Sequence, residues 1–364
     1  MKAKADMAKF TRAIAVVDGL HSSRPEYRYI FVEAVDGRLT FAATDGEISI
    51  FSSCEAAVEE KGSIYVSAGP LANLASLKGT GEASISVGER KKGDNTEPTL
   101  QIRSKAGRYT LAALEQCFTL PELKGAGFVA VDGEKLKPFL KAAATLTRRD
   151  AGGNVTFTAI KLENGEKGLR IVSTDGYRIL VADVPDMELP VPAECFIPKT
   201  GAARLASVLT KDAGAGFIGK EYLAVKNESV SVAVRLMEGQ FVDYRQIISS
   251  VGSDIGFSAE APVLRAAVAR MVLASIKVDV AASGGVLTLS AKGDGGEVEG
   301  EESIGIESNK AGFEGAFNGR FLLDGLDLSG EGPVTLSSKG AEHVFFIRPK
   351  DAGGMSYYLM PMNR

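Results

Sequence analysis

Cysteine, histidine and an excess of positive charge are what this sequence has least of, and each scarcity removes a class of function. The three cysteines, Cys54, Cys117 and Cys195, stand far apart in a chain of 364 residues. An odd number without paired spacing argues against a disulfide framework or a thiolate metal cage, and the three read as small buried apolar residues. His21 and His343 are the only histidines. They fall in different thirds, with no serine or cysteine beside them in a nucleophile setting, so no catalytic pair is expected, and no metal or cofactor either. The formal net charge of -4 excludes a protein that simply coats nucleic acid, because such binders carry a basic excess. Any DNA contact has to depend on where the charges sit. No apolar run approaches the roughly 20 residues that cross a bilayer. The opening MKAKADMAKFTRAIAVV carries charge throughout, unlike a secretory signal, so a cytoplasmic location is expected.

Hydrophobic residues make up 45% and charged residues 24%, enough for two or three cores of ordinary size. One order of elements is written three times. Each third opens with apolar residues at helical spacing: Met7, Phe10, Ile14 and Val17; then Leu136, Phe139, Leu140 and Ala143; then Leu264, Ala267, Val268 and Met271, entered through Pro262. A strand, a tight turn and a strand follow in LTFAATDGEISI, LRIVSTDGYRILVADV and VLTLSAKGDGGEVEG. The turns carry Thr44-Asp45-Gly46, Thr174-Asp175-Gly176 and a Gly-Asp-Gly run from Gly293, and Asp-Gly is expected to supply positive backbone dihedrals there. A short strand then runs into a second helix, at SIYVSAGPLANLASL, CFIPKTGAARLASVL and FEGAFNGRFLLDGLDL. A further strand pair closes each unit, at LQIRSKAGRYTLAAL, YLAVKNESVSVAVRL and VTLSSKGAEHVFFIRP. The first two turns are about 130 residues apart, the length of a domain and not of a solenoid repeat. The joins fall in PELKGAGF and SSVGSDIGF, which puts three α+β domains at 1–124, 125–251 and 252–364.

Candidate enzyme features have plainer readings. Gly214, Gly216 and Gly219 fit G-x-G-x-x-G but follow a helix and precede a strand, the reverse of the dinucleotide fingerprint, and read as a loop. Asp45 and Asp175 read as turn residues. Asn154-Val155-Thr156 has the form of a glycosylation sequon without the secretion that would give it meaning. Charge is more informative. Lys137, Lys141 and Arg148 are spaced by four and seven, one stripe of a helix opposite Leu136, Phe139 and Ala143. Lys9 and Arg12 stand away from Phe10 and Ile14, and Arg265 and Arg270 away from Val268. Acidic residues gather elsewhere, as in Glu297, Glu299, Glu301 and Glu302. Such a face is either the ordinary solvated side of a helix or part of one electropositive surface suited to a phosphate backbone.

Three strings, TDGYRI at 174–179, RLMEGQFVDYRQII at 235–248 and YYLMPMNR at 357–364, resemble the bacterial DNA sliding clamps, the beta subunit of the replicative polymerase. Arg24-Pro25 and IPKTGAARL at 197–205 add to the likeness, which runs the whole length. The resemblance implies three clamp domains, each with two helices packed on antiparallel sheets. It also implies a head-to-tail homodimer closed as a ring around duplex DNA, holding it by topology without reading bases. The implied partners are the replicative DNA polymerase, a clamp loader and other proteins carrying a short linear motif. The implied motif site is an apolar cleft between the second and third domains, made here by Phe157, Thr174, Gly176, Tyr177, Arg178, Ile179, Val242, Gln246, Ile247, Tyr358, Met360, Pro361 and Met362. For DNA the expected residues are Arg24, Lys137, Lys141, Arg148, Arg149 and Lys199. At the subunit interface they are Val272 and Leu273, facing Arg108, Tyr109 and Leu111 of the other copy. The chain departs from the family's pattern at Val242, usually Pro; at Gln246, commonly basic; at Tyr177, commonly His; and at Asn363-Arg364. These departures bear on motif preference, and a shorter stretch after Lys277 bears on ring closure. A clamp-derived interaction scaffold, or a clamp from a mobile replicon with its own partners, stands as the alternative.

Overall fold

The apolar spacing of the three opening segments folds into the helices Met7–Val17, Gly133–Leu146 and Ala261–Ala274, with every spaced residue named above buried. Asp6 starts the first of these by accepting from Ala8 N and Lys9 N, both at 3.0 Å, which satisfies two amides that a helix leaves open. Pro262 sits in the first turn of the third, where a missing N–H costs nothing. The computed structural model describes all residues except 21–23, 77–79, 106, 149–153, 167, 190–193, 253, 309–311, 341, 350–352 and 364.

Every strand pairing among the described residues is antiparallel, and the helices pack on the sheets, so the fold is α+β. The chain forms two compact units that each gather distant stretches. One holds Met1–Glu134 and Arg204–Leu236, the other Lys135–Ala203 and Met237–Arg364. The first contains a sheet of 13 strands. In it Val230–Arg235 continues the Ile48–Glu55 edge through pairs such as Val232 with Ile50. Its core includes Phe10, set edge-on to Phe41 with centroids 5.4 Å apart. The second unit contains a nine-stranded and a four-stranded sheet. In the larger, Arg178–Pro185 is flanked by Gly168–Thr174 and by the last strand, Met355–Leu359.

The two Thr-Asp-Gly turns are built alike, atom for atom, and not quite as Asp-Gly hairpin chemistry suggests. Only the glycines take positive φ, 96° at Gly46 and 92° at Gly176. The aspartates act through their side chains. Asp45 Oδ1 accepts from Glu47 N and Ile48 N at 2.9 and 2.7 Å, and Asp175 Oδ1 from Tyr177 N and Arg178 N at 3.0 and 3.2 Å. Thr44 and Thr174 each donate across the turn, to Ile48 O and Arg178 O, and accept from the turn glycine. In the third hairpin the positive φ falls at Gly295 and Gly296, in a 3-10 turn.

The expected loop at Gly214, Gly216 and Gly219 is mostly strand. Ala213–Ile218 pairs with Val129–Val131 and with Tyr222–Lys226, and only Gly219 lies in the turn beyond. A Cβ on Gly216 would stand 2.3 Å from Ala126 O, so the glycine serves close backbone approach. Asn154 of the sequon-like triplet caps the short helix Val155–Thr158 by accepting from Thr156 N at 3.0 Å.

Candidate functional site

A cavity of about 490 Å³ opens in the second unit, and its lining comes from five separated stretches of sequence. The Thr-Asp-Gly turn and the strand after it supply Thr174, Gly176, Tyr177, Arg178 and Ile179. The short helix capped by Asn154 supplies Phe157. Val242 and the helix Tyr244–Ser249 supply one wall through Gln246 and Ile247, and the last strand with the residue after it supplies Tyr358 and Met360. Eleven of the thirteen residues expected for the cleft therefore line one cavity. Pro361 and Met362 are not among its lining. They follow in the tail, where Met362 N donates to Ala316 O at 2.8 Å. Ser250 and Val344 line the cavity without having been expected. Ser250 lies four residues after Gln246, so helical spacing could have found it; nothing local marks Val344.

Packing fixes the walls. Tyr244 is buried with Val172, Ile179 and Val181, and Val242, Ile247 and Tyr358 pack on that cluster. Beneath it the Glu163 carboxylate, itself buried, accepts from the Tyr244 hydroxyl and from Arg245 Nη2 at 2.6 Å, with Lys161 Nζ at 3.2 Å. Burial works to raise the Glu163 carboxyl, but these hydrogen bonds and the Lys161 charge outweigh it and hold it below the ordinary range. Burial, then the bond to Glu163, pushes Tyr244 up to about 12. The carboxylate thus bolts the helix that carries Gln246 and Ile247 to the sheet.

Arg178 is the second fixed point. Its Nε donates to Asp175 Oδ2 at 2.9 Å, and Nη1 reaches Asp324 and, at 3.3 Å, the Tyr357 hydroxyl. Its guanidinium lies 4.2 Å from the Phe321 ring centre. Tyr177 stacks on the same Phe321, with centroids 6.2 Å apart, while staying 56% exposed. The cavity is apolar on its walls with a few fixed polar groups, the make-up of a ligand-binding site.

The residues expected for DNA are placed less uniformly. Lys137 and Lys141 do lie on the helix Gly133–Leu146, with Lys141 exposed. Arg148 does not share their stripe, because the helix ends at Leu146 and Arg148 N donates to Phe157 O at 2.7 Å. That bond turns its guanidinium over Phe157 and Tyr177, 5.0 and 5.4 Å from the ring centres, beside the cavity. Lys199 Nζ donates to Thr147 O at 2.9 Å. Arg24 precedes the 3-10 turn Pro25–Arg28 and has interactions within the fold. Arg149 lies outside the described residues. On the third helix the arginines are paired: Arg270 with Glu302 through two bonds of 2.5 and 2.8 Å, and Arg265 with Asp327 at 3.0 Å. Their charge is largely cancelled, so the third helix does not repeat the cationic face of the second.

The expected interface residues occupy two open edges. Arg108, Tyr109 and Leu111 lie on Gly107–Leu114, which pairs with Asn95–Ser104 on one side and, among the described residues, meets another strand only at Ala113 and Leu114 on the other. Val272 is half-buried against Gly319, whereas its neighbour Leu273 is 84% exposed. The acidic strand Glu299–Gly305 forms an edge of the four-stranded sheet.

The fold is all-antiparallel α+β, no cluster among the described residues could hold a metal, and the second unit carries an apolar cavity of about 490 Å³. The whole chain superposes on the DNA polymerase III subunit beta of Pseudomonas aeruginosa with a TM-score of 0.88 at 23% identity, and on that of Caulobacter crescentus at 0.87 and 21%, covering 100% of each chain. No family model matches. In sequence the chain is similar to the beta sliding clamp of Caulobacter vibrioides, 25% identical with 100% of both chains covered. It is also similar to that of Chlamydia trachomatis, 24% identical over 93% of this chain and 80% of the relative. Over its whole length the chain is thus similar to beta sliding clamps in sequence, and shares their fold.

Proposed function

We propose that this protein is a DNA sliding clamp, a tether that encircles duplex DNA and holds the replicative polymerase, the clamp loader and other motif-bearing proteins to it, without chemistry of its own. The observation that carries this reading is the assembly of eleven separated residues, chosen by family resemblance, around one apolar cavity. A short motif with Leu and Phe anchors suits those walls, and Met360 adapts to varied partners. The reading includes three tandem clamp domains at 1–124, 125–251 and 252–364. The likeness of the two Thr-Asp-Gly turns supports them. Lys137, Lys141, Lys199 and Arg24 face the phosphate backbone in weak, exchanging contacts, and the net charge of -4 disfavours binding on the outside. The protein works in the cytoplasm; no helix among the described residues is long and apolar enough to span a membrane.

Two copies close the ring. The basic open edge at Gly107–Leu114, with Arg108, complements the acidic edge at Glu299–Gly305, with Glu299 and Glu301, as strand addition requires. Leu273 supplies the apolar anchor beside it. In sedimentation equilibrium the protein is expected at twice the 38.3 kDa of one chain. Leu273→Asp, which places a charge where an apolar side chain would be buried, is expected to give 38.3 kDa instead. A wild-type monomer at micromolar concentration would remove the ring from the account.

A further inference from the structure

Beside the cleft lies a larger groove of about 1040 Å³, lined by Ile248, Val251, Phe257, Phe346 and Arg348 among others, and Tyr358 belongs to both cavities. We propose that this groove binds the flank of the partner's motif, an extended segment carrying an acidic residue close to the motif and an apolar residue beyond it. The inference rests on the cleft being the motif site.

The sheet makes the two cavities one track. Gly256 pairs with Ser337, Ser337 with Phe346, Phe346 with Tyr358, Tyr358 with Ile179, and Ile179 with Thr174. Residues directly opposite across antiparallel strands point to the same face, so this row is a continuous floor. The groove stands over its Gly256 end and the cleft over its Thr174 end. Five strand spacings make the row about 24 Å long, a span that an extended chain crosses in about seven residues. A six-residue motif does not fill it.

The roof is continuous as well. Val242, Gln246, Ile247 and Ser250 face the cleft, while Ile248, Val251 and Gly252, from the same stretch, face the groove. Phe346 stacks on Tyr358 with ring centres 5.0 Å apart and planes 19° apart, an apolar step from one cavity to the next.

Charge selects the flank. Glu307, Ser258, Thr335 and Arg348 form the neighbouring row. Its two charged ends are three strand spacings apart, about 14 Å, too far to neutralise each other. Arg348, exposed and without an ion pair among the described residues, stands beside Phe346 on the cleft side. A chain leaving the cleft meets that guanidinium before it meets Glu307, and a carboxylate there gains a charge-assisted bond.

The test uses the intact protein and three fluorescent peptides: a Gln-x-x-Leu-x-Phe core, and the same core lengthened at either end by four residues that include Asp and Leu. One of the longer peptides is expected to bind about tenfold tighter than the core, the worth of one buried apolar side chain. Val251→Arg and Arg348→Glu are each expected to erase that gain while leaving the core's Kd within about twofold, and a lysine-bearing extension is expected to regain affinity for Arg348→Glu. A core that binds while neither extension improves it overturns the groove and leaves the cleft standing. So does a gain that survives both substitutions. If neither core nor extended peptides bind, the cleft reading falls and the groove with it.

Discussion

Removing residues 360–364 is expected to abolish binding of a Gln-x-x-Leu-x-Phe peptide that the intact chain binds in the micromolar range. Met360 lines the cavity, and its backbone N–H donates to Tyr177 O at 2.9 Å, closing the turn that carries Tyr177 against the last strand. Met362 N holds the tail onward to Ala316 O. Both links vanish with the truncation, and with them one wall of the site and the anchor of another. The fold itself keeps its last strand, because Met355–Leu359 and its pairs with Arg178–Pro185 remain. A micromolar ligand has only about 8 kcal/mol of binding free energy, so losing a wall and an anchor together puts the complex beyond detection. Fluorescence polarisation would measure the loss, with an unchanged melting curve as the control. Binding that survives removal of Met360 would take the motif site elsewhere.

Arg178→Ala is expected to cost about 3 to 5 kcal/mol of stability, the range found when one partner of a buried ion pair is removed. Asp175 is buried, with one carboxylate oxygen on two backbone amides and the other on Arg178 Nε. Without the guanidinium that second oxygen loses its partner. The Tyr357 hydroxyl loses a neighbour, and the Phe321 ring loses the cation above it. Arg178→Lys is expected to recover only part, because a single ammonium does not reproduce the planar fork that meets Asp175, Asp324 and Tyr357 together. Urea titration would give the difference, and a loss below about 1 kcal/mol would make the network a surface feature in energetic terms. Since Arg178 also lines the cavity, peptide affinity is expected to fall with stability.

The periodic features of the sequence carried far into the fold. The spacing of Met7, Phe10, Ile14 and Val17 defines a buried helical face without help from tertiary structure, and the Thr-Asp-Gly strings mark turns because their hydrogen bonds are local. The Asp-Gly rule still misassigned the work, since the aspartates clasp through side chains and only the glycines adopt positive φ. The cleft came from family resemblance and not from pattern, as its residues lie up to two hundred positions apart. What spacing could not show was where a charge ends up. Glu163 occupies a polar-looking stretch yet is buried, because its partners Tyr244 and Arg245 stand about 80 residues away, and Lys161 is buried beside it, paired with Glu163 and Glu194. Arg148 kept helical register with Lys141 on paper, but the helix stops two residues earlier and the side chain turns onto Phe157. Arg270 looked free on its helix until Glu302, on an edge strand, came into reach.

The central claim is that this protein holds DNA by enclosing it, and the most direct measurement is retention on a circle before and after the circle is cut. The protein, loaded by a clamp loader onto nicked circular DNA, would be passed through gel filtration at a salt concentration that removes ordinary phosphate contacts. The account predicts that it elutes with the intact circle and is lost from the DNA within minutes of linearisation by a restriction enzyme. Equal retention on circle and linear DNA, or no retention on either, would contradict it.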